Sequence, residues 1–338
     1  MDSQERVSAP QSRRPMTRVI IDTDPGIDDA LALFLALRSP ELHIEAITTV
    51  AGNAPVDRCT RNVFQVLELL HVDPRPAVAQ GAARPLERAL RPAVEVHGED
   101  GLGTLSRYRN PDGGPRYPEP RGSLATVGAV DLILEIVGRS PGEITLITLG
   151  PLTNVAQAIL RDRMTMAKVG RVVSMGGAVL VPGNTSPVAE FNVATDPEAA
   201  RIVLTAGLPV TLVPLDVTER VRLSADALRT WVEPLADLPA QFLLDCTADL
   251  IVFSETWEGF KGIILHDPLT VGVVLDPDLV KTQPLHVQVE TRGEITTGMT
   301  VADRRPLRAG GRATADVALD VDADRFLTLF MEGVCRRS

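Results

Sequence analysis

Cysteine is scarce in this chain: Cys59, Cys246 and Cys335 are the only three in 338 residues, far apart and without a CxxC pair. That argues against a disulfide framework or a zinc-cysteine cluster and points to a reducing, cytoplasmic compartment. Lysine is also scarce, with Lys168, Lys261 and Lys281 alone. Acidic residues outnumber basic ones by 44 to 34, a formal net charge of −10. No basic stripe interleaves with the aromatics, which make up only 4%. Nucleic acid and anionic membrane are therefore poor partners. No apolar run approaches the ~18 residues of a membrane span. Residues 1–16 are polar and lack the apolar core of a signal peptide. They read as a disordered tail before a single domain over residues 17–338.

What is present is an ordinary globular composition, 44% hydrophobic and 23% charged. Apolar β-branched runs alternate with helical patterns. Strands are expected at 19–21, 44–50, 76–79, 144–149, 169–175 and 210–213. Helices are expected at 29–38, 56–70, 124–138, 153–160 and 197–205. This alternation implies βαβ units: an α/β fold with an open, mainly parallel sheet and helices on both faces. Near the end, Leu285–Glu290 and Ile295–Met299 flank Arg292-Gly293 and predict an added β-hairpin. A strand at 317–319 and a closing helix at 324–334 follow. The segment 106–122 is rich in Pro, Gly and Arg and holds both tyrosines, Tyr108 and Tyr117. It reads as an exposed, mobile flap.

The most informative stretch is Asp22-Thr23-Asp24-Pro25-Gly26-Ile27-Asp28-Asp29, four carboxylates in eight residues between two apolar runs. Carboxylates that close repel unless a cation or proton compensates them. Helix capping explains Asp28 and Asp29, since acids favour a helix's first turn. It does not explain Asp24 at a strand end. A hard divalent cation on oxygen ligands is the simplest account of the group, with Asp22 its least certain member.

Other polar clusters are weak one by one. His266-Asp267-Pro268 also reads as a helix start. Gly176-Gly177, Gly183-Asn184 and Glu190-Phe191-Asn192 also read as turn chemistry. His97-Gly98-Glu99-Asp100-Gly101-Leu102-Gly103 also reads as a surface loop, and Ala51-Gly52-Asn53 and Leu149 to Asn154 have the same status. They gain weight together, because strand ends at 24, 53, 149 and 175 share one C-terminal sheet edge, where ligands bind in such folds. His43, His71 and His286 read as structural.

These motifs, in this order over residues 17–335, resemble the nucleoside hydrolases of the inosine–uridine-preferring type. The resemblance implies a Rossmann-like nucleoside hydrolase fold, a homodimer or homotetramer, and cleavage of the N-glycosidic bond of ribonucleosides. It also implies a calcium ion (Ca2+) held by Asp24, Asp29, Asp267 and the Leu149 carbonyl, with Asp24 doubling as general base toward water. Asp28, Asn53, Asn184, Glu190 and Asn192 are then ribose-hydroxyl binders, Met175 lines the sugar pocket beside Phe191, and His97 contacts the base or the 5′ side. His266 is the best candidate acid for the leaving base. The departures concern the base. Family members often carry tyrosines before the His-Asp pair, whereas residues 249–260 hold Phe253 and Trp257 and no tyrosine. His97 stands where the purine-specific subgroup has a stacking tryptophan, and His266 argues against the subgroup with cysteine there.

Two alternatives compete. A Mg2+-dependent phosphohydrolase also uses DxD after a strand, but it wants cations to clamp phosphate, and none of the three lysines lies in a motif. A non-catalytic nucleoside-binding protein could share the fold.

Overall fold

The computed structural model describes residues 16–305 and 312–336. The tail expected over 1–16 lies, apart from Met16, outside the described residues. Among the described residues there are eleven strands: β1 Thr17–Thr23, β2 Leu42–Thr49, β3 Ala77–Gln80, β4 Ile144–Thr148, β5 Arg171–Met175, β6 Val210–Val213, β7 Arg222–Ser224, β8 Gly262–Ile264, β9 Val280–Val289, β10 Thr300–Asp303 and β11 Ala315–Val321. Nine of them form one sheet in the order β10-β9-β11-β6-β5-β4-β1-β2-β3, and β7 pairs with β8 separately. β1 to β6 are mutually parallel, and β11 joins β6 in parallel while pairing antiparallel with β9. The expected α/β architecture is therefore present, with antiparallel strands added at one edge.

The order 3-2-1-4-5-6 is the doubly wound arrangement, and its direction reverses between β1 and β4. A crevice opens at such a switch point, outside the strands' C-terminal ends. Asp24 follows β1 and Leu149 follows β4, so the two stand on either side of that crevice.

The strands are apolar on both faces because both are covered. Val19 and Ile21 pack with the helices Ile27–Leu37, Val56–Leu69, Leu238–Trp257 and Ala323–Val334. Ile20, one residue out of phase, packs with the helices Ala129–Arg139, Thr153–Arg161 and Pro197–Thr205. Burying a Leu- or Ile-sized side chain stabilises by roughly 1.5–3 kcal/mol, and both layers are built of such residues.

Three expectations shift. The helix expected from 124 begins at Ala129, after Gly128 at the N-cap; upstream, the Ala125 amide donates to Val78 O, so the chain runs extended beside β3. The hairpin is real, but its second strand is β10, with Thr300 opposite Val289. Residues 291–298 instead close a wide loop on Glu290, whose carboxylate accepts from the Arg292 amide at 2.7 Å and the Thr296 hydroxyl at 3.0 Å.

The segment 106–122 is stapled down. The Tyr117 hydroxyl and the Arg116 guanidinium both donate to Asp245 Oδ2, at 2.8 and 2.6 Å, and Arg107 grips Asp249 with two hydrogen bonds. The Tyr117 ring stands edge-on to Phe242, which stacks on Phe34. Both acids lie on the helix Leu238–Trp257, so the tyrosines anchor this segment to the core.

Candidate active site

Asp24 leaves β1 fully buried, and its carboxylate lies between two glycines. A Cβ on Gly52 would fall 2.0 Å from Asp24 Oδ2, and one on Gly150 would fall 2.2 Å from Oδ1. Asp24 Oδ2 accepts the Asn53 amide at 2.7 Å; Oδ1 is buried with no hydrogen-bond partner. Asp29, in the first turn of the helix Ile27–Leu37, is loaded with donors. Its Oδ1 accepts from Thr23 Oγ1 at 2.5 Å and from the Asp24 amide at 3.2 Å. Its Oδ2 accepts from the Gly26 amide at 3.0 Å and from Asn53 Nδ2 at 2.9 Å. The capping explanation thus holds for Asp29. Asp28 shares that first turn, but its Oδ1 is buried and unpartnered.

The helix His266–Leu275 brings Asp267 to the same place. Oxygens of Asp28, Asp29 and Asp267 lie within 4.8 Å of one another, a group able to hold a metal ion. No ion pair with Lys or Arg relieves these acids among the described residues. Burial, then the neighbouring Asp29, holds the Asp24 carboxyl well above the usual range. The same two causes push Asp28 up to about 7. Burial, then Asp28 and Asp29, raises Asp267 strongly. A site that disfavours its own ionisation this much is complementary to a cation.

Above the acids lies a cavity of about 190 Å³. Asp28, Asn53, Leu149, Met175, Asp267 and His266 line it, as do His97, Asn184, Glu190, Phe191 and Asn192. Asp24 and Asp29 lie beneath it, fully buried. Asn192 Nδ2 donates to the Leu149 carbonyl at 2.6 Å and to Met175 Sδ at 3.3 Å, linking the ends of β4 and β5. Glu190 caps the short helix Phe191–Thr195, accepting the amides of Gly177, Asn192 and Val193. Asn184 Oδ1 accepts the Phe191 amide at the exposed rim.

His97 closes the other wall. Its Nδ1 accepts the Ile27 amide at 3.1 Å, one of the amides that a helix start leaves free. An accepting Nδ1 leaves the proton on Nε2. Burial pushes this imidazole down to about 4, so the ring is neutral near pH 7. Asn62 Nδ2 ties the two loops together, donating to Pro25 O at 3.0 Å and to Asp100 O at 2.9 Å. Gly103, at φ +73, brings the loop so near the helix Leu238–Trp257 that a Cβ would sit 2.5 Å from Cys246 O.

Asp22 stands apart. Its Oδ1 accepts from Thr48 Oγ1 at 2.5 Å and Asn154 Nδ2 at 2.8 Å, within the sheet. Trp257 is 76% exposed and does not line the cavity; Phe253, one turn earlier, does.

Several contributors escaped sequence reasoning. Ala93, Val96, Leu250, Ser254, Glu258 and Ile264 also line the cavity. Asp216 accepts the amides of Val179 and Leu180 at 2.8 and 2.7 Å, and Thr300 Oγ1 bonds both the amide and the carbonyl of Ala178. These two fix the loop that leads to Asn184. The period-2 pattern of a strand flags neither, though Thr300 opens β10 as a buried polar residue.

A doubly wound sheet with this acid-floored cavity at its switch point defines an N-glycosidase of the nucleoside hydrolase class, and the chain belongs to the inosine-uridine preferring nucleoside hydrolase family, whose model matches residues 19–328. It is a ribonucleoside hydrolase. It is 41% identical over 320 residues to the pyrimidine-specific ribonucleoside hydrolase RihA of Citrobacter koseri, covering 93% of this chain and 96% of that one. It is 40% identical over 324 residues to RihA of Shewanella sp. strain ANA-3, covering 94% and 95%. Among solved structures, the purine-preferring ribonucleoside hydrolase from Gardnerella vaginalis superposes with a TM-score of 0.86 at 32% identity, covering 94% of this chain and 98% of that one. The plant nucleoside hydrolase PpNRh1 gives 0.86 at 34%, covering 95% and 99%. No helix among the described residues is long and apolar enough to cross a membrane.

Proposed function

We propose that the chain hydrolyses pyrimidine ribonucleosides in a calcium-dependent reaction, releasing free base and ribose. The observation that carries this reading is the set of buried, mutually repelling carboxylates on the cavity floor, with Asp24 Oδ1 and Asp28 Oδ1 lacking any partner. The donor set is all oxygen, which suits a hard cation with many flexible ligands. Asp24, Asp29, Asp267 and the Leu149 carbonyl would hold the ion, with Asp28 turned to the sugar. When bound, calcium supplies charge compensation, an acidified water and places for ribose hydroxyls.

The chain's own residues then do the following. Asp24 takes a proton from the attacking water, its Oδ1 being buried and without a hydrogen-bond partner. Asp28, Asn53, Asn184, Glu190 and Asn192 hold the ribose hydroxyls, and Met175 packs under the ring. As the C1′–N bond lengthens, positive charge grows on the sugar, and the acid-lined floor stabilises it. His266 faces the departing base, and His97 contacts the base or the sugar's 5′ side. Pyrimidine preference is supported by the 40–41% identity to pyrimidine-specific relatives and by His97 in place of a stacking tryptophan. The phosphohydrolase alternative finds no support, since no Lys or Arg among the described residues lines the cavity.

Chromatography of a nucleoside panel tests this. Uridine and cytidine should be cleaved with higher kcat/KM than inosine and guanosine. Purine turnover above pyrimidine turnover would reverse the assignment of preference, and release of inorganic phosphate from nucleotides would replace the reaction.

A further inference from the structure

His266 opens its helix with the ring against the cavity, and its Nδ1 lies 2.8 Å from Thr218 Oγ1. Thr218 ends the short helix Leu215–Thr218, just after β6, and is fully buried. Among the described residues, His266 is the only hydrogen-bond partner of that hydroxyl. A buried hydroxyl must place one proton, and a donor left unpaired costs more than a spare lone pair. Were Nδ1–H to donate to Thr218, the threonine proton would have no acceptor. The hydroxyl therefore donates to Nδ1, and the ring carries its proton on Nε2.

The backbone is tied to the same segment: the Leu265 amide donates to Val221 O at 3.0 Å. Ring and main chain of His266 are thus both registered to residues 214–221. His97 follows the same rule, its Nδ1 occupied by the Ile27 amide. Both cavity histidines thus have Nδ1 occupied by a donor and carry their proton on Nε2.

We propose that Thr218 is a positioning residue that fixes the His266 tautomer, so that Nε2–H donates a hydrogen bond to the departing base. This rests on the reading of His266 as the group that faces the base. As the C1′–N bond breaks, its electron pair moves onto the base, where Nε2–H stabilises the developing negative charge. The proton that Asp24 removes from water is matched by one the freed base takes up from solvent, so His266 ends neutral, as it began. This is an electrostatic role for a neutral imidazole.

The test compares Thr218→Val, Thr218→Ser and His266→Ala on uridine and on 4-nitrophenyl riboside, whose leaving group departs as a stable anion. Thr218→Val should lower kcat on uridine by roughly 10- to 100-fold, with KM little changed and 4-nitrophenyl riboside turnover within about twofold of wild type. Thr218→Ser should restore uridine turnover. Equal losses on both substrates for Thr218→Val, or wild-type uridine turnover, would overturn the proposal. If Thr218→Val follows prediction but His266→Ala hits both substrates equally, the reading of His266 fails instead, and this inference falls with it. ¹⁵N NMR of the wild-type imidazoles, assigned with His266→Ala, needs no foldable Thr218 variant: His266 should be the Nε2–H tautomer, and an Nδ1–H signature would refute the assignment.

Discussion

Gly150→Ala perturbs the site by one methyl group whose position is known. The new Cβ would fall 2.2 Å from Asp24 Oδ1, 2.7 Å from its Cγ and 3.1 Å from its Cβ. Ordinary contact begins near 3.4 Å, so the carboxylate must retreat by about 1.2 Å. It cannot slide toward Gly52, because that backbone already crowds Oδ2. A displacement of ~1 Å of a reacting group costs about 100-fold in rate, and kcat on uridine should fall by about that factor at saturating calcium. The fold should survive, since overpacking costs roughly 1–3 kcal/mol and Gly150 has no left-handed φ to lose. The assay is uracil release by chromatography, with thermal unfolding followed by circular dichroism on the same sample. A folded Gly150→Ala protein with kcat within about threefold of wild type would refute the claim that Asp24 must sit where it does. Gly52→Ala should act in the same direction through Oδ2.

Two further substitutions probe the surrounding scaffold. Asp245→Ala removes the acceptor shared by Tyr117, Arg116 and Gln241; it should destabilise by about 1–3 kcal/mol in urea unfolding and make residues 106–122 cleavable by trypsin, whereas unchanged protease resistance would contradict the staple. Thr300→Val removes both bonds to Ala178; at about 1 kcal/mol of lost positioning, KM for uridine should rise roughly fivefold with kcat little changed, and an unaltered KM would show that the loop leading to Asn184 needs no such support from β10.

The parallel strands were legible because both faces of the sheet are covered, so runs such as Val19-Ile20-Ile21 are uniformly apolar. The acidic turn was legible because its acids crowd into eight residues and their repulsion asks for a cation, although Asp22 is satisfied by Thr48 and Asn154 instead. Asp267 could be placed beside them only through the resemblance, since composition does not encode a meeting of residues on opposite ends of the chain. What stayed hidden is of two kinds. Asp216 and Thr218 on one short helix and Thr300 at a strand start act as single carboxylates or hydroxyls toward distant segments, and no motif marks any of them. The segment 106–122 looked mobile because Pro, Gly and Arg favour loops, yet its tyrosines and arginines find partners on the helix Leu238–Trp257, more than 120 residues later. The start of the helix at Ala129 was misjudged because Leu124 and Val127 continue its apolar pattern; both are exposed, at 47% and 37%, and belong to the approach.

On the proposed reading, buried acids hold calcium and Asp24 serves as base for nucleoside hydrolysis. Uracil release from uridine by wild type and Asp24→Ala, each assayed after rigorous calcium removal and again with calcium restored, decides it. Turnover should vanish on removal and return with calcium for wild type, while Asp24→Ala stays inactive in both conditions; full wild-type activity without calcium, or wild-type turnover by Asp24→Ala, would contradict the account.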